Sequence, residues 1–273
     1  MNTLYIQPLF APDMRRFKLN MDSLISMSEY CKKYNYNLPV LFGGWVADEF
    51  WNEMVSFIKS NFPNIVGLSR FERNYGKAIV VNKLYEFVKE KKLNFKYILH
   101  ADSDIIFTLE TPEMIERLEY AAEQSISFTK KPFGLIAPLQ LEGNCHLSCC
   151  YENKYTYSFK SYNEVMVHPT NPSGIAGSCW FTSSEAWELV KGYRVLGVYA
   201  GDDAYYLLDI GTRGYSYQVS DSISVIHPRE KDDAYSKWKA MVCPRDSWGG
   251  QVKHNINNII NEADQFWANN KKS

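Results

Sequence analysis

The sequence of 273 residues predicts an α/β fold, with a mostly parallel central sheet flanked by helices, in a single domain. Two observations lead to this prediction. Along residues 1–100, short apolar segments alternate with segments whose apolar positions have the spacing of one helical face. Such alternation is typical of a parallel sheet covered by helices on both sides. In addition, no internal repeat and no long linker divides the chain.

The individual elements are predicted in chain order from these patterns. Short apolar runs predict strands at Leu4–Ile6 (ended by Pro8), Leu38–Phe42 (ended by Gly43 and Gly44), Ile65–Leu68 and Tyr97–Leu99. Helical spacing predicts helices over Asp22–Tyr34, Trp51–Ile58 and Lys77–Lys91. The less regular second half predicts a strand at Leu135–Pro138, a loop-like region at 142–173, helices at Ser183–Val190 and Asp203–Gly211, a strand at Ile223–Ile226 and a helix at Val252–Trp267.

Charge and hydropathy exclude some classes of protein. The formal net charge of -1 gives no overall basic field of the kind that nucleic-acid wrapping requires. No apolar run approaches the ~20 residues needed to cross a bilayer. Near the N-terminus the basic pair Arg15–Arg16 follows the apolar run, the reverse of a secretory signal. We therefore expect a cytoplasmic protein and leave peripheral membrane contact open.

Six cysteines are too few for a disulfide scaffold in a chain of this length. Four metal-ligating side chains cluster in one segment, namely Cys145, His146, Cys149 and Cys150. Their spacing lacks the paired C-x-x-C form of a structural zinc site, and no second cluster complements them. Reduced cysteines in a loop are favoured over a metal site.

Two carboxylates, Asp102 and Asp104, directly follow the buried-looking strand Tyr97–Leu99. Ligands of parallel sheets lie outside the carboxyl ends of the strands. Oxygen ligands at that place suit Mg²⁺ or Mn²⁺, which takes one or two carboxylates together with substrate phosphates. The alternative is a solvated acidic turn.

A second motif precedes this strand by about one helix. Asn74, Gly76, Lys77 and Asn82 form the pattern N-x-G-K-A-x(3)-N. Glycine permits a close backbone approach, and a lysine near a helix N-terminus favours a phosphate there. A plain loop followed by an amphipathic helix is the alternative, but it does not explain the two asparagines.

Further candidate residues lie in the second half of the chain. Gly177 belongs to a tight glycine segment, and Trp180 offers a flat apolar face for a sugar ring. Asp202 and Asp203 open a helix, where acidic residues are favoured by the helix dipole, so that simple capping is the alternative role. His227 ends a late strand, where a metal ligand is one role and a structural histidine the other.

Taken in this order, the motifs resemble those of the GT-A glycosyltransferases, specifically the family 2-like inverting enzymes. The resemblance covers roughly residues 3–228. It implies a Rossmann-like GT-A catalytic domain at 1–230, with a nucleotide-sugar half at about 1–107 and an acceptor half at about 130–230. Residues 231–273 would form a C-terminal helical extension, which either covers the sheet or makes an oligomer contact.

The resemblance also implies roles for individual residues. Asp104, Asp102 and His227 would hold Mn²⁺ or Mg²⁺. Asp203, beside Asp202, would be the general base that deprotonates the acceptor hydroxyl. The substrate and nucleotide would contact Asp102, Asn74, Lys77, Asp48, Gly177 and Trp180.

The acidic segment after the second strand departs from the family pattern. Gly43 and Gly44 stand at its early acidic positions, and only Asp48 matches the later one. UDP is the leading expectation for the nucleotide. Four tyrosines in the region Cys145–Pro172 are expected either to face the acceptor or to pack that region on the domain, namely Tyr151, Tyr155, Tyr157 and Tyr162.

The expected function is metal-dependent, inverting transfer of a sugar from a nucleotide-diphosphate donor to an acceptor hydroxyl. The acceptor is a surface glycan, a lipid-linked glycan, a protein or, in a phage-type enzyme, hydroxymethylated bases of DNA. Two other classes are weighed: a sugar nucleotidyltransferase, to which Arg15–Arg16 is a poor match, and a non-catalytic glycan-binding GT-A domain. The intact Asp102–Asp104 and Asp202–Asp203 pairs argue against the latter.

Overall fold

A computed structural model describes residues 2–142, 145–147, 153–159, 164–169, 175, 177–196, 198, 202–228, 233–242 and 256–270. The strands in these ranges are β1 (Thr3–Ala11), β2 (Val40–Val46), β3 (Ile65–Arg70), β4 (Tyr97–Ala101), β5 (Ile106–Phe107), β6 (Phe133–Glu142), β7 (Cys145–Leu147), β8 (Asn153–Phe159), β9 (Glu164–Pro169), β10 (Cys179–Ser183) and β11 (Ser216–Ile226). The helices are α1 (Met14–Lys33), α2 (Asp48–Asn61), α3 (Lys77–Glu90), α4 (Met114–Thr129), α5 (Ser184–Val190), α6 (Asp202–Thr212), α7 (Asp233–Val242) and α8 (Ile256–Asn270).

The strands form one sheet in the order β3-β2-β1-β4-β10-β6-β11-β9-β8, with β5 paired to β11 and β7 to β6. Strands β3, β2, β1 and β4 are mutually parallel, which confirms the predicted parallel α/β arrangement for the N-terminal half. Beyond them the sheet is mixed, because β10 runs antiparallel to both of its neighbours while β6 and β11 are parallel. The strand order reverses between β1 and β4, so a crevice for a ligand opens at their carboxyl ends.

Apolar side chains cover both faces of the sheet. Successive residues of β1 alternate between them: Tyr5 and Leu9 join the layer formed with α1, α2 and α4, whereas Leu4 and Ile6 join the layer formed with α3, α5 and α6. Each fully buried side chain of this size stabilises the fold by about 1.5–3 kcal/mol. Both core layers thus fix the strand ends that carry the candidate site.

Local capping sets where the helices begin. Asp13 accepts a hydrogen bond from Arg16 N, so α1 begins at Met14 and is longer than the predicted Asp22–Tyr34. The Ser183 side chain accepts a hydrogen bond from Ala186 N, so that α5 begins at Ser184. Among the described helices, none has the length and apolarity that crossing a membrane requires.

Several strand boundaries differ from the prediction. β1 continues through Pro8 to Ala11 because β4 pairs with it only as far as Ile6, so that Pro8 lies where the strand has one partner. β2 continues through Gly43 and Gly44 to Val46. The region 142–173, predicted as a loop, contains β7, β8 and β9 within its described parts. Helix α4 was not predicted, and α7 lies in the predicted C-terminal helical extension but was not predicted as a separate helix.

The C-terminal helices pack over the carboxyl ends of the first two strands. Trp238 of α7 and Trp267 of α8 are buried in a third apolar cluster, which also contacts Phe10 of β1 and Trp45 of β2. Asp264 of α8 accepts a hydrogen bond from the guanidinium of Arg73 at 2.7 Å and another from the backbone N–H of Asn74 at 3.3 Å. The extension therefore covers the edge of the sheet where the crevice opens.

Candidate active site

A pocket of about 130 Å³ lies at the carboxyl ends of β1 and β4, where the strand order reverses. Five residues that were predicted from the sequence belong to its wall, namely Asn74, Lys77, Asp102, Asp104 and His227. They come from the loop before α3, the turn after β4 and the end of β11. The topology thus brings together three motifs that are up to 153 positions apart in the chain.

Asp104 lies between two cationic groups. Its Oδ2 accepts a hydrogen bond from Arg16 Nη1 at 3.3 Å, and its Oδ1 lies 3.6 Å from His227 Nε2. Burial alone would raise the pKa of this carboxyl, but the interaction with His227 and the charge of Arg16 outweigh it and lower the pKa to about 2. Asp104 is therefore an ionised, buried carboxylate.

Asp104 and His227 together give the pocket an oxygen and a nitrogen donor, which is a pair that Mn²⁺ accepts. Asp102, the third predicted ligand, is turned towards Lys77. Within the described ranges, no group of three or more His, Cys, Asp or Glu side chains is assembled as a metal site. A metal at this place would be held by Asp104 and His227, with the rest of its ligands coming from a substrate phosphate and water.

Asp102 is held by Lys77, whose Nζ lies 3.1 Å from its Oδ1. Burial raises the pKa of Asp102 to about 6, and the negative charge of Asp104 adds to the rise, while Lys77 lowers it. Burial disfavours the charged lysine as well, yet Asp102 and Asp202 raise its pKa well above the usual value. The protonation states of Asp102 and Lys77 therefore depend on each other.

Lys77 also connects the turn after β4 with the acidic pair. Its Nζ donates a hydrogen bond to the carbonyl oxygen of Gly177 at 3.0 Å and lies 4.0 Å from Asp202 Oδ2. Behind it, the hydroxyl of Tyr193 lies 3.4 Å from Nδ1 of the fully buried His100. Burial and the charge of Lys77 lower the pKa of His100 well below its usual value, so this imidazole is neutral.

Asp203 packs directly against Gly177. A Cβ added at Gly177 would collide with the Cβ and carboxylate of Asp203, so that only glycine leaves room for this side chain. Asp203 Oδ1 accepts a hydrogen bond from the N–H of Ala204 at 2.8 Å. Gly177 thereby fixes where the acidic pair at the start of α6 lies.

The loop before α3 is built around Asn74. Its Oδ1 accepts a hydrogen bond from Gly76 N at 3.2 Å, and Gly76 has a φ of 81°, which favours glycine. The Nδ2 of Asn74 is buried and has no hydrogen-bond partner among the described residues. This amide therefore presents a donor next to the pocket.

Two predicted substrate residues are not in this pocket. Trp180 is fully buried in β10 and stacks on Tyr206 with ring centroids 5.4 Å apart, so its ring packs the core and cannot contact a sugar. Asp48 pairs with Arg70 beside a separate groove at the ends of β2 and β3, with 92% of its side chain exposed. That groove, and not the pocket with Asp104, is where Asp48 could contact a ligand.

Other predicted features lie outside the described residues. They are the side chains of the cluster Cys145, His146, Cys149 and Cys150 and those of Tyr151, Tyr155, Tyr157 and Tyr162.

Several pocket residues were not predicted, among them Arg16, Tyr235, Trp238 and Lys239. Arg16 follows the first strand, and a basic residue near the end of that strand is a signal that could have identified it. The other three lie on α7, and their local sequence contains no motif that indicates a site.

The sheet order, the helical layers and the crevice between β1 and β4 define the GT-A fold. The structural neighbours are GT-A-type glycosyltransferases. The crystal structure of S. aureus TarS superimposes with a TM-score of 0.58 at 13% identity over 88% of this chain and 39% of that chain. The crystal structure of S. aureus TarS 1-349 superimposes with a TM-score of 0.57 at 14% identity over 88% of this chain and 63% of that chain. The crystal structure of GalNAc-T7 with UDP, GalNAc and Mn²⁺ superimposes with a TM-score of 0.57 at 13% identity over 84% of this chain and 44% of that chain.

The chain spans between 39% and 63% of the length of these structures. No family model matches the sequence, and no curated protein matches it. At such low identity the similarity establishes the fold alone.

Proposed function

We propose that this protein is a metal-dependent, inverting glycosyltransferase that moves a sugar from a UDP-sugar to an acceptor hydroxyl of a surface glycan. The observation that carries the proposal is the contact network of Lys77, which joins Asp102 to Asp202 and to Gly177 O in a GT-A fold. A donor-binding turn and an acidic pair that opens a helix are thereby held next to each other. The UDP and Mn²⁺ in the GalNAc-T7 structure support the choice of donor and metal to test first.

The acidic pair supplies the base. In this mechanism Asp203 accepts the proton of the acceptor hydroxyl while that oxygen attacks the anomeric carbon. The nucleoside diphosphate leaves from the opposite face of the sugar, so the anomeric configuration is inverted. Asp202, at 4.0 Å from Lys77, holds the start of α6 in position for this step.

The donor side stabilises the leaving group. Asp104 and His227 would hold Mn²⁺ or Mg²⁺, which would supply positive charge against the departing diphosphate. Asn74 contributes its buried amide donor beside the same pocket, and Lys77 keeps the Asp102 carboxylate in place. The largely buried setting of these groups strengthens their interactions relative to water.

The proposal is tested by thermal stabilisation of the purified protein with a panel of nucleotide sugars, each with and without Mn²⁺. Asp104→Asn keeps the shape of the buried carboxylate while it removes the charge, and Asp221→Asn on the exposed part of β11 is the matched control. We expect stabilisation by one donor that requires both the metal and Asp104. If no donor stabilises a folded sample, the transferase proposal is wrong.

The products separate the proposal from its alternatives. A glycosyltransferase releases a nucleoside diphosphate, whereas a sugar nucleotidyltransferase consumes a nucleoside triphosphate and releases pyrophosphate. Glycan, lipid-linked and hydroxymethylated-DNA acceptors are supplied in separate reactions with the stabilising donor. Binding of a glycan without turnover of any donor would instead indicate a non-catalytic GT-A domain.

A further inference from the structure

Helix α7 contributes to the wall of the pocket that contains Asp102 and Asp104. Three of its side chains line this pocket, namely Tyr235, Trp238 and Lys239. They belong to the C-terminal extension, outside the roughly 3–228 range over which the sequence motifs extend. The pocket is therefore incomplete without the extension.

One aromatic ring of α7 contacts two cations. The guanidinium carbon of Arg16 lies 3.3 Å from the centre of the Tyr235 ring, and Lys239 Nζ lies 4.4 Å from it. Burial lowers the pKa of Lys239, and the charge of Arg16 lowers it further, although Asp104 and Asp102 act in the opposite direction. Two positive charges are thus brought together at one side of the pocket, where an additional anion would be favoured.

The charges that face the pocket are suited to a metal and a diphosphate that bind together. Among the described residues, the cations Arg16, Lys77 and Lys239 stand against the carboxylates Asp102, Asp104 and Asp202. His227 also faces the pocket and would be neutral as a metal ligand, so these charges cancel and a divalent cation alone would leave an excess of two positive charges. A diphosphate group bound with the metal removes this excess.

The position of Lys239 is set by packing. The neighbouring Trp238 is buried and stacks on Phe10 with ring centroids 5.4 Å apart and an interplanar angle of 27°. Phe10 belongs to β1, whose end forms the floor of the pocket. This packing of Trp238 on Phe10 therefore fixes the position of Lys239 at the pocket.

We infer that Lys239 binds the diphosphate group of the donor, from the part of the pocket wall that α7 forms. This inference rests on the proposed function and deepens it, because it assigns part of donor binding to α7. It also gives the extension a direct part in the site, in addition to covering the sheet. Arg16 and Tyr235 hold the position: the ring keeps Arg16 and Lys239 beside each other, and Arg16 anchors Asp104.

The probe is inorganic pyrophosphate, titrated calorimetrically into the full chain in the presence of Mn²⁺. Lys239→Met removes the charge while it keeps the aliphatic stem, and Lys239→Arg restores a cation. Lys237→Met is the matched control, because Lys237 lies exposed on the same helix. We expect the Lys239→Met variant to bind pyrophosphate about 10-fold or more weakly, as the loss of one charged hydrogen bond implies. Lys239→Arg should regain most of the affinity, and Lys237→Met should bind as the wild type does.

Equal affinities of the wild type and the Lys239→Met variant would overturn the inference and leave the proposed function standing. If the folded wild type binds neither pyrophosphate nor UDP with the metal, both are wrong. Pyrophosphate binding that depends on Lys239 in a protein that turns over no nucleotide sugar would confirm the diphosphate contact of Lys239 and refute the proposed function, so that the diphosphate would belong to another ligand.

Discussion

Lys77 Nζ lies 3.1 Å from Asp102 Oδ1, and this contact joins two motifs that are 25 positions apart. Both groups are about three-quarters buried, with 22% and 26% of their side chains exposed. The same amine reaches Gly177 O and Asp202. Lys77 therefore compensates buried negative charge on both sides of the pocket.

Replacing Lys77 by Met should be costly for both stability and activity. The change leaves Asp102 and Asp202 buried without their cation, so we expect the free energy of unfolding to fall by about 3 kcal/mol. Donor turnover should fall by at least about 100-fold, because the turn after β4 loses its anchor. Urea denaturation and a nucleoside-diphosphate release assay measure the two effects. Lys89→Met, at an exposed position of α3, is the control, and equal effects of both changes would contradict this role of Lys77.

The place of the motif residues in the fold could be predicted from the sequence because they occupy strand ends and helix starts, where a local pattern has a fixed position. In a parallel sheet the turn after β4 and the loop before α3 must meet at one edge, so Asp102 and Lys77 could be placed together. No such rule applies to Lys239. Its position depends on how α7 packs on β1, which is a tertiary contact without a local signature.

Trp180 is a residue whose role could not be predicted from its local sequence. A tryptophan after a glycine segment has the same local sequence whether its ring faces a ligand or the core. Only the pairing of β10 with β4 and β6 shows that it lies in the middle of the sheet, against Tyr206. The strand boundaries failed for a related reason: Pro8 lies where β1 has only β2 as a partner, and Gly43 and Gly44 keep their backbone N–H groups and pair with both β1 and β3.

Gly177→Ala should separate donor binding from transfer. The added methyl group collides with Asp203 and displaces its carboxylate, while the contacts of Asp104 and His227 are left unchanged. We expect nucleotide binding close to that of the wild type and a turnover at least about 100-fold lower. Gly211→Ala in α6, where the nearest atom to the new methyl group belongs to Tyr217 at 3.2 Å, is the matched control. Turnover within a few-fold of the wild type would show that the position of Asp203 is not critical.

Trp180→Phe tests the role of this residue in the core. The smaller ring leaves a cavity beside Tyr206, so we expect the free energy of unfolding to fall by about 1–3 kcal/mol. The KM for the donor should not change, because the side chain is fully buried and does not line the pocket. Trp51→Phe, at a half-buried position of α2, controls for the loss of a tryptophan in general. A raised donor KM with unchanged stability would restore the predicted contact with a sugar.

The stability of the protein should depend on pH through Asp202. Burial raises the pKa of this carboxyl, and the neighbouring Asp203 raises it further, against the opposing effect of Lys77. A carboxyl whose pKa is higher in the folded than in the unfolded state binds more protons when folded. Its contribution to stability is therefore present at low pH and is lost as the pH rises through the folded pKa.

Asp202→Asn removes this titration while it keeps the shape of the side chain. Urea denaturation between pH 4 and pH 8 measures the free energy of unfolding of the variant and of the wild type. We expect the free energy of unfolding of the variant to increase relative to that of the wild type as the pH rises above about 4, the usual pKa of an aspartate. Asp221→Asn, on the exposed part of β11, is the control for the loss of one carboxylate. A difference that stays constant, or that shifts in favour of the wild type, would mean that Lys77 stabilises the ionised Asp202 by at least as much as burial and Asp203 oppose it.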